Sequence, residues 1–234
     1  RDFPVTAPYY SSPPRLKKMG IEVPFYHRDP DHLEKLVEAG AGSTRMNHLS
    51  WSDIEPTNTQ SRNFLWEEGD RDLADYARNG FSPIVIVSSI PSWAGQTRNG
   101  PLEERSREEF ARFVGAAVRR YSRPPYNIKY WEFFNEPDGT RPNLGPGAAT
   151  NWGYYGREYA EMLEAVYPAV KAADPACRVV LGGLAYDAFL DAEGSRTNKM
   201  FARAGKEGIF NRGFLEEVLE SGGGDYFDIM NFHY

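Results

Sequence analysis

The chain has 234 residues, of which 41% are hydrophobic and 26% charged, and this composition is typical of a folded domain with a sizeable core. Its formal net charge of -6 disfavours nucleic acid as a partner, and no apolar run approaches the ~18 residues of a membrane span. The single cysteine, Cys177, excludes an internal disulfide and a thiolate metal site. Residues 1–18 carry charge and proline instead of the continuous apolar segment of a signal peptide.

Strand-like and helical segments alternate along the chain. Residues 1–19 form a proline-rich lead-in, and residues 20–234 are predicted to form one domain. The predicted strands are 20–26, 42–50, 83–89, 128–134, 178–185 and 226–234. The predicted helices are 29–40, 67–80, 106–122, 156–173 and 213–222. Because the run 83–89 is apolar throughout instead of alternating, we expect parallel strands that are covered on both faces.

Six strand-helix repeats allow two architectures, a doubly wound open sheet or a (β/α)8 barrel. A phosphate-binding open sheet would have a glycine-rich turn after its first strand, whereas residues 27–31 read HRDPD. The barrel requires eight strands. The predicted fold class is therefore an α/β (β/α)8 TIM barrel that is incomplete, with about six βα units visible and the last two strands missing.

The stretch WEFFNEPD at 131–138 contains the candidate chemistry. It places Asn135 and Glu136 at the carboxyl end of the fourth predicted strand, where parallel α/β folds collect their functional groups. Aromatic residues precede the acid, and such surroundings would disfavour a charged carboxylate and suit Glu136 to donate a proton. Asn135 supplies an amide that can bind a ligand hydroxyl. The alternative is a simple turn in which Glu136 caps a loop or pairs with an arginine.

These residues resemble the clan A superfamily of retaining glycoside hydrolases, which are (β/α)8 barrels. WEFFNEPD carries the resemblance together with TRMNHLSWSDIEP at 44–56 and SSIPSWA at 88–94, and it extends over residues 20–234. It implies that Glu136 is the acid/base and that Asn135 binds the sugar 2-hydroxyl. It also implies a carbohydrate substrate, no cofactor or metal, and an extracellular or periplasmic location.

Five further residues are candidates for substrate binding. Arg45, at the end of the second predicted strand, corresponds to an arginine that supports the nucleophile in part of the clan, and its alternative is a surface ion pair. His233 stands where the clan often has an active-site histidine, and Tyr234 would be the tyrosine that bonds the nucleophile. Trp93 and Trp51 are candidate platforms for a sugar ring, with core packing as the alternative.

The attacking carboxylate of a retaining mechanism is missing from these assignments. Two carboxyl groups ~5–5.5 Å apart are required, and the resemblance implies a glutamate on a seventh strand. Glu132 would lie too deep in the barrel, Asp138 follows the proline, and Glu55 belongs to a loop. We therefore expect the nucleophile to lie outside this chain and the fragment alone to be inactive.

Two other functions remain open. A non-catalytic carbohydrate-binding barrel fragment would keep Asn135 and Trp93 but would not depend on Glu136. An oxidoreductase or phosphate-handling barrel would need either the glycine-rich turn that 27–31 lacks or an extra helix N-terminus late in the barrel, which we expect outside this chain. The sequence leaves open the sugar, which could come from cellulose, mannan, xylan or smaller β-glycosides, and also the oligomeric state.

Overall fold

Four parallel strands form the centre of the structure, a computed structural model that describes residues 20–22, 32–58, 63–140, 152–185 and 210–233. The strands are β1 (Arg45–Ser50), β2 (Ile84–Ser88), β3 (Tyr130–Phe133) and β4 (Arg178–Val180). The helices are α1 (His32–Glu38), α2 (Trp51–Ile54), α3 (Glu67–Arg78), α4 (Arg107–Tyr121), α5 (Gly156–Ala173) and α6 (Phe214–Glu220). Each strand is followed by a helix, as the sequence predicts.

The sheet has the order β1-β2-β3-β4, and every neighbouring pair is parallel. These strands correspond to the second to fifth predicted strands. The first and sixth predicted strands flank them through isolated parallel bridges, Gly20 with Ser43 at one side and Phe232 with Leu184 at the other. The spatial order of all six segments therefore follows their order along the chain, which is the arrangement of successive barrel strands.

The core lies between the sheet and the helices on its outer face. One face of α4 is completely buried, and it consists of Phe110, Phe113, Val114, Ala117, Val118 and Tyr121, as the helical periodicity predicts. Strand β2 buries Val85, Ile86 and Val87 in succession, because a central parallel strand is covered on both faces. From α5, the Tyr159 hydroxyl donates to the Phe133 carbonyl oxygen at 2.7 Å and fixes that helix on β3.

Strand β4 ends at Val180, earlier than the predicted 178–185. Beyond it, two glycine amides donate to side chains instead of a neighbouring strand: Gly182 N–H to the Tyr159 hydroxyl at 3.1 Å and Gly183 N–H to Glu132 at 2.8 Å. A Cβ on Gly182 would lie 2.6 Å from the Phe133 carbonyl oxygen, so only glycine allows this close approach to β3. None of the helices in the described ranges is both long and apolar enough to cross a membrane.

Candidate active site

An open groove of about 640 Å³ lies beside the carboxyl end of β3. Its lining comes from four segments of the chain: Glu22, Arg45, Asn135, Glu136, Asn231, Phe232 and His233. Four of these residues, Arg45, Asn135, Glu136 and His233, are functional candidates from the sequence. The topology brings them together although Arg45 and His233 are 188 positions apart in the chain. The groove is therefore the candidate functional site.

A strained turn presents Glu136 to the groove. Phe134 and Glu136 have φ values of 61° and 48°, in the left-handed region that is uncommon for residues other than glycine. The turn is held by two backbone hydrogen bonds, from Phe134 N–H to the Val87 carbonyl and from Glu136 N–H to the Gly183 carbonyl, both 3.0 Å long. Such strain persists where the surrounding structure over-determines the backbone, and it clusters at functional sites.

His233 is the partner of the Glu136 carboxyl. Its Nδ1 lies 3.1 Å from Glu136 Oε1, and the two side chains are 25% and 27% exposed. The other ring nitrogen, Nε2, is buried and has no hydrogen-bond partner within the part of the chain that the structure describes. Either Nδ1–H donates to a carboxylate or a protonated carboxyl donates to Nδ1, so the pair can hold a proton between them.

Arg45 forms the floor of the groove and is bound to Glu132 beneath it. Its Nε donates to Glu132 Oε2 at 2.8 Å and its Nη2 to Glu132 Oε1 at 2.7 Å. Nη1 donates to Glu22 Oε1 at 2.7 Å. Burial lowers the pKa of the Arg45 guanidinium, but the hydrogen bonds and charges of Glu132 and Glu22 outweigh burial and raise it overall. The arginine is therefore a fixed cation.

The same guanidinium determines which way the Asn135 amide points. Arg45 Nη2 also donates to Asn135 Oδ1 at 2.7 Å. Because an arginine can only donate, the amide atom that faces it is the oxygen. Asn135 is exposed to the groove, so its NH₂ group is left as a donor for a ligand.

The aromatic surroundings expected for Glu136 are found elsewhere. The rings of Phe133 and Phe134 pack on Phe110 of α4, with centroid separations of 6.1 and 5.8 Å. They therefore belong to the core behind the sheet, whereas Glu136 lies beside His233 in the groove. These two rings do not surround the acid, because the backbone turn with positive φ at Phe134 and Glu136 directs the Glu136 carboxyl away from them.

The two tryptophans proposed as sugar platforms do not line the groove. Trp51 is fully buried, stacks on Phe113 at 5.9 Å and donates from Nε1 to Glu55 at 2.8 Å, so this assignment is wrong. Trp93 is partly buried and donates to the Glu55 backbone carbonyl at 3.1 Å. Glu55 thus holds both indoles, Trp51 through its buried carboxylate and Trp93 through its backbone carbonyl.

The remaining assignments have different outcomes. Arg45 was expected at the end of its strand, but β1 begins at Arg45. Its guanidinium reaches the groove because the side chain is long. Tyr234 lies outside the described residues.

Sequence reasoning missed Glu22 and the role of Glu132, although each is a charged residue inside an apolar strand segment, a pattern that indicates a buried partner. In the described ranges, no group of three His, Cys, Asp or Glu side chains could hold a metal ion.

No protein-family model matches the sequence, and no curated protein matches it. Solved structures do. A family 39 glycoside hydrolase from Bacteroides cellulosilyticus matches 92% of this chain at 21% identity, with a TM-score of 0.59. The catalytic domain of the family 30 xylanase C from Talaromyces cellulolyticus matches 92% at 13% identity with a TM-score of 0.62, and an endo-1,4-beta-mannanase from Eisenia fetida matches 87% at 15% identity with a TM-score of 0.51.

The chain spans only part of the proteins that it matches, 37%, 52% and 59% of the lengths of these three. Identities this low show a shared fold and no more. The parallel strands, the helix after each strand and these matches agree on one architecture. The chain therefore has the fold of part of a TIM barrel, which it shares with the glycoside hydrolases that it matches.

Proposed function

We propose that this chain is part of a retaining glycoside hydrolase that acts on a β-linked glycoside or polysaccharide, with Glu136 as its acid/base. The observation that carries the proposal is the Glu136 carboxyl itself, which is turned into the groove by a strained backbone and lies 3.1 Å from His233. The glycoside hydrolases, xylanase and mannanase that share the fold support a carbohydrate substrate.

In this proposal Glu136 works twice. Its carboxyl first gives a proton to the glycosidic oxygen as the bond to the anomeric carbon breaks, and the resulting carboxylate then removes a proton from the water that releases the sugar. His233 can form a hydrogen bond with both protonation states of Glu136, because its Nδ1 can accept from the carboxylic acid or donate to the carboxylate. The NH₂ group of Asn135 donates to a sugar hydroxyl oxygen and orients the ring.

The nucleophile has to be a second carboxylate. Among the described residues that line the groove, Glu22 is the other one, and its Oε1 is bound to Arg45. Glu132 is fully buried under the guanidinium and cannot reach a sugar. We propose that the nucleophile lies outside this chain, and we therefore expect the chain alone to show little or no turnover.

The test compares this 234-residue chain with the product of the complete reading frame that encodes it. Both are assayed on chromogenic aryl β-glycosides of glucose, xylose and mannose. We expect turnover with retained anomeric configuration, followed by NMR, from the complete product and little from the chain alone. Glu136→Ala should lose about 10²- to 10⁴-fold in kcat/KM, and azide should restore turnover of substrates with good leaving groups as a glycosyl azide.

Three outcomes would contradict parts of this proposal. Robust turnover by the chain alone would place the nucleophile within it. Full activity of Glu136→Ala would remove the acid/base assignment, and inverted products would remove the covalent route. Glycan binding without turnover, unaffected by Glu136→Ala, would identify a carbohydrate-binding barrel instead.

A further inference from the structure

Glu132 is a fully buried carboxylate in the middle of a strand, beneath the groove and out of reach of a ligand. Three N–H groups hold it: Arg45 Nε on Oε2, and Arg45 Nη2 and Gly183 N–H on Oε1, at 2.7 to 2.8 Å. Burying a charge is unfavourable unless it is paired and hydrogen-bonded. A strand otherwise made of Trp131 and Phe133 would accept an apolar residue here, so the charge requires an explanation.

We infer that Glu132 is the positioning residue of the site, setting the Asn135 amide through Arg45 and the Glu136 backbone through Gly183. The inference rests on the proposed function, because it names what those two groups are positioned for.

The first link passes through one nitrogen. Arg45 Nη2 gives one hydrogen to Glu132 Oε1 and the other to Asn135 Oδ1, both at 2.7 Å. The bidentate contact fixes the plane of the guanidinium, and that plane fixes the direction of the second hydrogen. The Asn135 oxygen is thereby occupied and its NH₂ faces the groove. The groove therefore selects a ligand acceptor at this point, such as a hydroxyl oxygen.

The second link passes through a peptide unit. Glu132 Oε1 accepts from Gly183 N–H at 2.8 Å, and Gly183 offers its carbonyl to Glu136 N–H at 3.0 Å. The same carboxylate oxygen thus holds the peptide unit that in turn holds the left-handed turn at Glu136. A displacement of about 1 Å in such a support is sufficient to cost about 10²-fold in rate.

Glutamine is the informative substitution, since it has the same shape as glutamate. Its NH₂ group would face one of the three N–H donors, so one hydrogen bond is lost and Arg45 loses its buried counter-charge. We expect Glu132→Gln to lower kcat/KM of the complete enzyme by about 10²-fold. In an Asn135→Ala background the same change should cost much less, because the group being positioned is gone.

Glu55→Gln is the matched control. Glu55 is also a buried carboxylate paired with an arginine, with Arg112 Nη2 at 2.6 Å, but it does not line the groove. Its effect on kcat/KM should be independent of Asn135→Ala, as expected for a purely structural role. If Glu132→Gln is equally independent of Asn135→Ala, the positioning role is wrong.

If Glu132→Gln does not fold, the pair Arg45→Met with Glu132→Leu replaces it, because it leaves no unpaired charge in the core. We expect this double variant to fold and to show the loss of kcat/KM and the dependence on Asn135→Ala that are predicted for Glu132→Gln. A folded double variant with unchanged kcat/KM would overturn the inference.

An NMR measurement that does not depend on catalysis tests this inference separately from the proposed function. In ¹⁵N NMR of the free protein, Glu132→Gln should move the Arg45 Nε–H signal and both Asn135 side-chain NH₂ signals, while Glu55→Gln leaves them in place. Unmoved Asn135 signals would overturn the link. If the signals move but the complete enzyme has no glycosidase activity, the proposed function fails and the network stands.

Discussion

At the scale of single residues, Gly183 meets three residues of the candidate site, Glu132, Glu136 and His233. Its N–H donates to Glu132 at 2.8 Å and its carbonyl accepts from Glu136 N–H at 3.0 Å. It has no side chain where the His233 ring packs, and a Cβ there would overlap the ring at Nε2. Any other side chain at this position would have to displace the His233 ring, because the ring occupies the volume beside the Gly183 Cα.

Gly183→Ala should separate His233 from Glu136. The added methyl group must push the imidazole away, and overpacking of this kind typically costs ~1–3 kcal/mol of stability. We expect a lower midpoint in urea unfolding together with displaced His233 ring signals in NMR. Gly213→Ala is the control, because its Cβ would meet its nearest neighbour at an ordinary 3.5 Å. Unchanged His233 signals in Gly183→Ala would refute the packing argument.

At the scale of elements, the connection from α5 to β4 is fixed by one acid. Asp174, the residue after α5, accepts from Lys129 Nζ at 2.5 Å and from Ala176 N–H at 2.9 Å. Burial raises the pKa of Asp174, but the hydrogen bonds and charge of Lys129 with the Ala176 amide outweigh it and lower the pKa below 3.8. The acid therefore ties the helix end to the segment before β3.

Asp174→Asn should destabilise the protein at neutral pH by ~1–3 kcal/mol, the typical value for hydrogen bonds to a charged group. Because the folded pKa is depressed, the contribution of Asp174 is present above the unfolded pKa and is lost as the pH falls through the folded value. The difference from wild type should therefore shrink as the pH falls below the ordinary range of an aspartate pKa. Asp225→Asn, at an exposed position, is the control. Urea unfolding across pH measures both, and a constant difference would contradict the assignment.

At the scale of the whole molecule, the core contains the only thiol of the chain. Cys177 is fully buried, and its Sγ lies 3.6 Å from the Ile128 carbonyl oxygen. Burial raises the pKa of this thiol to about 11. The reactive thiolate is therefore both rare and inaccessible while the domain is folded.

Thiol labelling should consequently report unfolding of the domain. We expect an aromatic disulfide reagent to react with the native chain only through transient opening of the core, and with the urea-unfolded chain completely. Adding urea below the transition should accelerate labelling in proportion to the open population. Fast labelling of the native protein would show that the core around Cys177 is not closed.

Local sequence patterns were sufficient for the order of elements. Apolar runs and helical periodicity depend on neighbouring residues alone, and they predicted α5 at 156–173 and the buried face of α4. The motif WEFFNEPD likewise indicated the end of β3 as the site. The predicted ends of the strands were less accurate. Strand β4 ends early because the N–H groups that follow it donate to the distant side chains of Tyr159 and Glu132, which no local pattern shows.

Side-chain partners were decided by the tertiary structure. Arg45 and Glu132 are 87 positions apart, and they meet because β1 and β3 flank β2 in a parallel register. The same packing buries Trp51 on Glu55 and brings Glu22 into the groove. The sequence by itself determined which segments form strands and helices, since that depends on periodicity along the chain. Which charges pair and which rings face a ligand depends on where distant segments lie in space.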